Sequence, residues 1–477
     1  MKVCFVTSEC VPYIKTGGLA DVSGSLPVSL HELNADVKIF LPLYDNIDRE
    51  KHNLLKSNEL SGDSVSVLSV KHPYDVYVTK HNVKIDTYFI DCPFYFSRGT
   101  VYTFDADENE RFILFQHAVL KSLQKLQWSP DVIHCNDWQS SLIPSMVKLQ
   151  YSWDKLFSST KTFLSIHNIG YQGVFPPDSV VKAGFGESLY VLGGPFEFNG
   201  SANFLKAGIF YSDIVSTVSP TYAEEIQTPE FGAGLDGVLR ARGENVFGIL
   251  NGIDTIDWNP VSDKLIPKNY SFDSLDDKYI NKNDLLNLSG LKVEKDVPLF
   301  GIVSRLAWQK GFELIVELME KRIGDNFKLI VLGAGEEKYE EYFTKLMKDF
   351  PEKIKVFLEY NNRIAHLITA GSDFFFMPSR YEPCGLNQMY SLNYGTLPIV
   401  RKVGGLADTV IDTDNENGNG FSFGEFSLDG IESAFDKALK LYSVKHKMKS
   451  VIERGMSSDF SWSKSAKEYL DLYSKMK

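Results

Sequence analysis

At 477 residues the chain is too long for one ordinary hydrophobic core, so two domains are expected. A formal net charge of −12 argues against nucleic acid or an anionic membrane as the main partner, and leaves room for a neutral polymer or a small phosphorylated ligand held by local cations. Five cysteines, at 4, 10, 92, 135 and 384, form no CxxC pair, which points to reduced thiols in a cytoplasmic protein rather than a disulfide framework or a zinc site.

The chain opens directly on a strand-like run at 3–7, with no basic leader or cleavage site. Further buried strands are predicted at 35–41, 131–135, 162–166 and 214–218, with helical patterns between them. Residues 65–88 alternate at period two and read as a β-hairpin insertion. A second series of strands follows at 298–303, 327–332, 374–377 and 397–400. Between the two series lie Asn251-Gly252-Ile253-Asp254 and a polar stretch, 263–284, that reads as a hinge region. Beyond Phe426 the pattern is helical to the end. No run of about 18 apolar residues exists, so no membrane-spanning helix is expected. Such alternation predicts an α/β chain of two Rossmann-like domains with parallel sheets. The aromatic share of 13% fits either large cores or ring faces stacked on sugars and a base.

Ligands of open α/β sheets collect beyond the carboxyl ends of the strands, so motifs are sought there. After the first strand comes Lys15-Thr16-Gly17-Gly18-Leu19-Ala20-Asp21. Its glycines permit close backbone approach, a helix starting near Leu19 would aim N–H groups at an anion, and Lys15 adds a point charge. An ordinary strand-to-helix turn accounts equally well for Gly-Gly alone. After the strand at 298–303, Arg305 and Lys310 stand five positions apart, a spacing that suits one diphosphate or two solvated surface charges. After the strand at 374–377, Glu382-Pro383-Cys384-Gly385-Leu386 makes a turn whose carboxylate would face sugar hydroxyls or cap a helix. Gly404-Gly405-Leu406-Ala407-Asp408 repeats the Gly17–Asp21 string. His167, at the end of the strand at 162–166 and beside Asn168, is a hydrogen-bonding candidate for a sugar.

Three look-alikes are set aside. Gly333-Ala334-Gly335 lacks the third glycine of a dinucleotide fingerprint. Asp105-Ala106-Asp107 imitates a metal-binding Asp-x-Asp but belongs to an acidic helix start. Asp412-Thr413-Asp414 lacks the glycine of a calcium loop. No metal is expected.

Together these strings resemble the bacterial glycogen synthase and plant starch synthase family. Further matches are His134-Cys135-Asn136-Asp137-Trp138, 167–173, 203–209, 217–222, 225–230, 251–254 and 377–408. The resemblance implies a GT-B fold, two Rossmann-like domains facing across a deep cleft. The domains would be 1–245 on the acceptor side and 246–455 on the nucleotide-sugar side, with a helix at 456–477 crossing back onto the first. It also implies metal-free, retaining transfer of glucose from ADP-glucose to the non-reducing end of an α-1,4-glucan or malto-oligosaccharide. By the same resemblance, Lys15 and Gly18 approach the diphosphate and glucose, and Arg305 and Lys310 neutralise the leaving ADP. Glu382 sits by the glucose and His167 bonds its hydroxyl. The backbone N–H groups of Cys384, Gly385 and Leu386 meet sugar or phosphate oxygens. Asp21, Asp137 and Asn251 are further donor contacts, and Tyr360 stacks on adenine. Glu359 replaces a usual glycine before that tyrosine, and Gln139 a frequent histidine. The alternatives are another GT-B sugar-nucleotide enzyme of the sucrose or trehalose type, and a catalytically silent glucan-binding protein. A glucan phosphorylase is disfavoured by the motif set.

Overall fold

The predicted runs of β-branched and aromatic residues form strands that are mostly buried on both faces, as a parallel sheet between helix layers requires. The computed structural model describes residues 1–82 and 84–476. The chain divides into one unit of Met1–Val218, Ala223–Ile249 and Trp462–Lys477, and another of Ser219–Tyr222 and Leu250–Ser461.

The strands of the first unit are β1 (Lys2–Val6), β2 (Asp36–Pro42), β3 (Leu55–Lys56), β4 (Asp63–Val67), β5 (Val70–His81), β6 (Ile85–Asp91), β7 (Val132–Asn136), β8 (Lys161–Ile166), β9 (Val174–Phe175), β10 (Glu197–Phe198), β11 (Ser201–Asn203), β12 (Ile214–Thr217) and β13 (Val246–Gly248). The main sheet runs β13-β12-β8-β7-β1-β2-β6-β5-β3, with every pair from β13 to β6 parallel. Counted along the chain, its parallel strands lie in the order 3-2-1-4-5-6-7, so the winding reverses between β1 and β7.

The expected hairpin insertion at 65–88 is only partly what forms. β4 and β5 do make a hairpin, but β5 also pairs with β6, and β6 joins the parallel sheet beside β2. The reason lies in β6, where five consecutive residues, Thr87–Asp91, are buried; such a strand needs cover on both faces. The helix Trp462–Lys475 packs into this unit. Its Tyr473 hydroxyl meets Nδ1 of the fully buried His134 at 2.6 Å, and the other ring nitrogen meets Ser165 Oγ at 2.7 Å. Desolvation holds that imidazole well below its usual pKa, so it is neutral.

The second unit carries β14 (Leu299–Val303), β15 (Lys328–Leu332), β16 (Ile354–Phe357), β17 (Phe374–Met377), β18 (Leu397–Arg401) and β19 (Phe421–Phe423). All pair in parallel in the order β16-β15-β14-β17-β18-β19, or 3-2-1-4-5-6, with the reversal between β14 and β17. Phe300 stacks on Phe374 and Phe376 at 5.1 Å each, and Phe327 and Phe435 complete the cluster. Much of the aromatic content is therefore core.

The polar stretch 263–284 is not a hinge. Asp263 is buried, accepts from Tyr394 Oη at 2.6 Å and pairs with His366 Nδ1 at 2.8 Å. Lys278 donates to Ala370 O and Thr396 Oγ1, both at 2.7 Å, and Lys282 pairs with Asp373 at 2.6 Å. These polar groups satisfy one another inside the unit, a condition that polarity along the sequence cannot distinguish from exposure. Among the described residues no helix is long and apolar enough to cross a membrane.

Candidate functional site

In the second unit the motif residues stand at the carboxyl ends of β14 and β17, the two strands flanking the winding reversal. Four contacts join the loops. Arg380 N donates to Gln309 O at 2.9 Å, Gln309 Nε2 to Tyr381 O at 3.3 Å, and Asn387 Nδ2 to Val303 O at 2.7 Å. Lys310 Nζ pairs with Glu382 Oε2 at 2.6 Å, and the same oxygen accepts Ser379 Oγ at 2.9 Å. Arg305 is exposed, and its guanidinium has no side-chain or backbone acceptor among the described residues.

Gly385, at φ +72°, turns the backbone through the left-handed region that favours glycine, just before the helix Asn387–Asn393. No protein acceptor takes the N–H of Cys384, Gly385 or Leu386 among the described residues. Two cations and three open amides together present the donors that an anion would require. Burial pushes the Cys384 thiol up to about 12, so it is neutral and no nucleophile. Asn251 belongs to this cluster: its backbone N–H reaches the Cys384 sulfur, and its buried Oδ1 has no hydrogen-bond partner among the described residues. Tyr360 lies beyond the edge strand β16, two strands from β14, and is 85% exposed.

Several supporting residues escaped the sequence reading. The Arg380 guanidinium lies over the rings of Trp308 at 4.7 Å and Phe426 at 3.9 Å, and its Nε donates to Glu313 Oε1 at 2.7 Å. Glu336 Oε1 accepts the Trp308 N–H at 2.5 Å. The look-alike Gly333-Ala334-Gly335 proves to be a prop for the Arg305 loop: Leu306 N donates to Ala334 O at 3.0 Å, and a Cβ on Gly335 would meet Leu306 O at 2.3 Å. The repeated Gly404-Gly405 string was the one visible signal for such support. It underlies the Glu382 turn, where a Cβ on Gly404 would lie 2.0 Å from Glu382 O and one on Gly405 2.2 Å from Cys384 O.

In the first unit, Lys15, Gly18 and Asp21 follow β1, Asp137 follows β7 and His167 follows β8. Lys15 Nζ pairs with Asp21 at 2.7 Å. The helix begins at Gly18, and a Cβ on Gly17 or Gly18 would meet nothing within 4 Å, so the backbone faces open space. Asp137 holds φ at +54°, and its Oδ1 accepts the His167 N–H at 2.8 Å. His167 Nε2 donates to Asn136 Oδ1 at 2.9 Å, an amide oriented by its own bond to Val6 O at 3.0 Å. Desolvation lowers the His167 pKa to about 3, which leaves a neutral ring with Nδ1 as an acceptor for a hydroxyl.

Burial raises the Asp137 carboxyl to about 7. Because the folded value lies above the unfolded one, the folded state holds more protons between about pH 4 and 7, and this group's contribution to stability falls as pH rises through that window. The variant Asp137→Asn keeps an acceptor for His167 N and tolerates the left-handed backbone. Its advantage in Tm over the parent should therefore grow from pH 4 to pH 8 in thermal melts. A constant difference would show a carboxyl that titrates normally.

The acidic look-alikes are occupied by cations: Arg98 binds Asp105 at 2.9 Å and Asp107 at 2.6 Å, and Lys437 binds Asp412 at 3.1 Å as well as Asp414. Among the described residues no three His, Cys, Asp or Glu side chains are grouped to hold a metal ion.

Comparison with known proteins gives the family and the fold. The sequence model of the starch synthase catalytic domain matches residues 2–241, and that of group 1 glycosyl transferases matches 288–455. A glycogen synthase of Thermosipho melanesiensis is 44% identical over 481 residues, covering 100% of this chain and 99% of that protein. One of Thermotoga maritima is 43% identical with the same coverage. Among solved structures, the catalytic domain of starch synthase IV from Arabidopsis thaliana, bound to ADP and acarbose, superposes with a TM-score of 0.91 at 32% identity, covering 99% of each chain. A sucrose-phosphate synthase from Thermosynechococcus elongatus, with a TM-score of 0.62 and 16% identity over 100% of this chain and 98% of its own, shares the fold alone. The two Rossmann-like units are those of the GT-B fold.

Proposed function

The chain belongs to the glycogen and starch synthase family, and we propose that it transfers glucose from ADP-glucose to the non-reducing end of an α-1,4-glucan or malto-oligosaccharide in the cytoplasm, with retention at C1. The observation that carries this reading is the set at the winding reversal of the second unit: an Arg305 with no acceptor among the described residues, Lys310 held by Glu382, and three open amides at 384–386. Cleavage of the C1–O bond places negative charge on the departing diphosphate, and preorganised donors stabilise that charge where it develops. Arg305 and Lys310 take this role, so the reading requires no metal ion.

Lys15 and Gly18 are assigned to the diphosphate and glucose, and Asp21 aims Lys15. His167 Nδ1 accepts a hydrogen bond from a glucose hydroxyl. Asp137 and Asn251 are donor contacts, and Tyr360 stacks on adenine. Glu382 already binds Lys310 and Ser379 through one oxygen, which suits an anchor better than a nucleophile. The acceptor 4-hydroxyl then attacks C1 from the face the diphosphate leaves. Its oxygen bonds to C1 as the C1–O bond to phosphate breaks, and its proton passes to a phosphate oxygen of the departing ADP. A trapped glucosyl ester on Glu382 would overturn this mechanism.

The test of function is incorporation of labelled glucose into glycogen from ADP-glucose and UDP-glucose side by side. Incorporation from ADP-glucose is expected. Incorporation from UDP-glucose alone would correct the donor, and none from either would overturn the function.

A further inference from the structure

Two loops of the first unit meet on one buried carboxylate that the reaction above does not use. Glu9, just beyond β1, is 3% exposed. Its Oε2 accepts the N–H of Thr16 at 2.5 Å and of Gly17 at 3.1 Å, and its Oε1 accepts Thr16 Oγ1 and Tyr102 Oη, each at 2.6 Å. Four donors converge on one side chain, three from the Lys15 loop and one from the segment 97–107.

That segment is itself framed. Arg111, fully buried, donates to Tyr95 O at 2.7 Å, Val101 O at 3.2 Å and Glu108 Oε2 at 2.6 Å. Glu108 in turn accepts Thr103 Oγ1 at 2.5 Å, and Arg98 clasps Asp105 and Asp107 from outside. Tyr102 therefore reaches Glu9 from a braced position, with Ser8 Oγ at 2.8 Å on the same hydroxyl. Desolvation and the Glu9 charge keep that phenol protonated and hence a donor.

The Lys15 side chain, by contrast, is held among the described residues only by its pair with Asp21, in which Lys15 is 48% exposed; such pairs contribute little on their own. Where the ammonium stands is thus set mainly by the backbone of its loop, which the mutual backbone bonds of Cys10 and Ile14 hold on one side, at 3.2 and 3.0 Å, and Glu9 holds at 16 and 17 on the other. We propose that Glu9 and Tyr102 are positioning residues for Lys15, and that their contact couples the segment 97–107 to the Lys15–Gly18 loop so that ordering one orders the other. The inference rests on the reading that Lys15 meets the donor.

The test compares the full chain with Tyr102→Phe, Glu9→Gln and the double variant, each also with Lys15→Ala. Tyr102→Phe removes no bond to the Lys15 loop directly. It is nevertheless expected to speed amide hydrogen exchange at 15–17 and to lower kcat/KM for ADP-glucose, each by about tenfold, the scale of coupling between residues in one hydrogen-bond network. Glu9→Gln should lose more, because a neutral amide gives up the charge-assisted acceptance of all four bonds and must donate to the Thr16 and Tyr102 hydroxyls instead of accepting from them, and the double variant should lose no more than Glu9→Gln alone. With Lys15→Ala, either change should cost clearly less rate than it does in the parent chain, the remainder passing through Gly18. Unchanged exchange at 15–17 in Tyr102→Phe, additive losses, or a full further loss without Lys15 would each overturn the proposal. If the parent chain fails to transfer glucose, the functional reading falls, while the exchange measurement still decides the coupling. Should Glu9→Gln fail to fold, Tyr102→Phe alone reads the same link, through exchange at 15–17 and through its rate with and without Lys15.

Discussion

Replacing Arg305 or Lys310 by Ala is expected to lower kcat by about a hundredfold or more, the scale of losing one preorganised donor at a developing anion. The two variants should differ in stability. Arg305 is exposed and has no acceptor among the described residues, so Arg305→Ala should lose rate with an unchanged Tm. Lys310 neutralises Glu382, whose side chain is only 8% exposed, and Lys310→Ala leaves that carboxylate, among the described residues, with the Ser379 hydroxyl. A lost partner at a buried polar group costs about 1–3 kcal/mol, so the Tm should fall as well. Lys310→Arg keeps the charge but not the compact ammonium that fits between the two loops, and should recover stability better than rate. Steady-state kinetics and thermal melts check all three. Normal turnover by either alanine variant would remove the leaving-group assignment.

The second large effect concerns two copies of one string. Gly17-Gly18 and Gly404-Gly405 each precede Leu-Ala-Asp, yet one faces open space and the other carries the backbone of Glu382 and Cys384. Gly405→Ala would put its Cβ 2.2 Å from Cys384 O, and Gly404→Ala would add a side chain at φ +43° with 2.0 Å to Glu382 O. The contacts are backbone, so relief means moving the Glu382 turn. Overpacking of this kind costs about 1–3 kcal/mol, and displacement of a reacting group by about 1 Å costs about a hundredfold in rate. Gly17→Ala meets nothing within 4 Å and sits at an ordinary extended φ of −149°, so its Tm should not change. Any loss of kcat/KM in that variant then reports crowding of the ligand rather than of the protein. Wild-type kinetics from Gly405→Ala would show that the turn does not depend on its glycine shelf.

The alternation of apolar strand runs and helical patterns by itself determined the two parallel sheets, because burial on both faces requires continuous apolar runs wherever they occur. It placed Lys15, Asp137, His167, Arg305 and Glu382 at strand carboxyl ends, and their order along the chain was specific enough to identify the family. Local sequence cannot tell which polar residues fold inward, so the buried network around Asp263, Lys278 and Lys282 reads as a hinge. Nor can it assign partners. Only the tertiary structure paired Lys15 with Asp21 and Lys310 with Glu382, set Arg380 between Trp308 and Phe426, and brought Glu9 under the Lys15 loop across 93 residues from Tyr102. It also gave identical Gly-Gly strings opposite uses. A glycine's freedom is written in the chain, but whether that freedom is filled by a ligand or by a neighbouring backbone depends on what the fold packs against it.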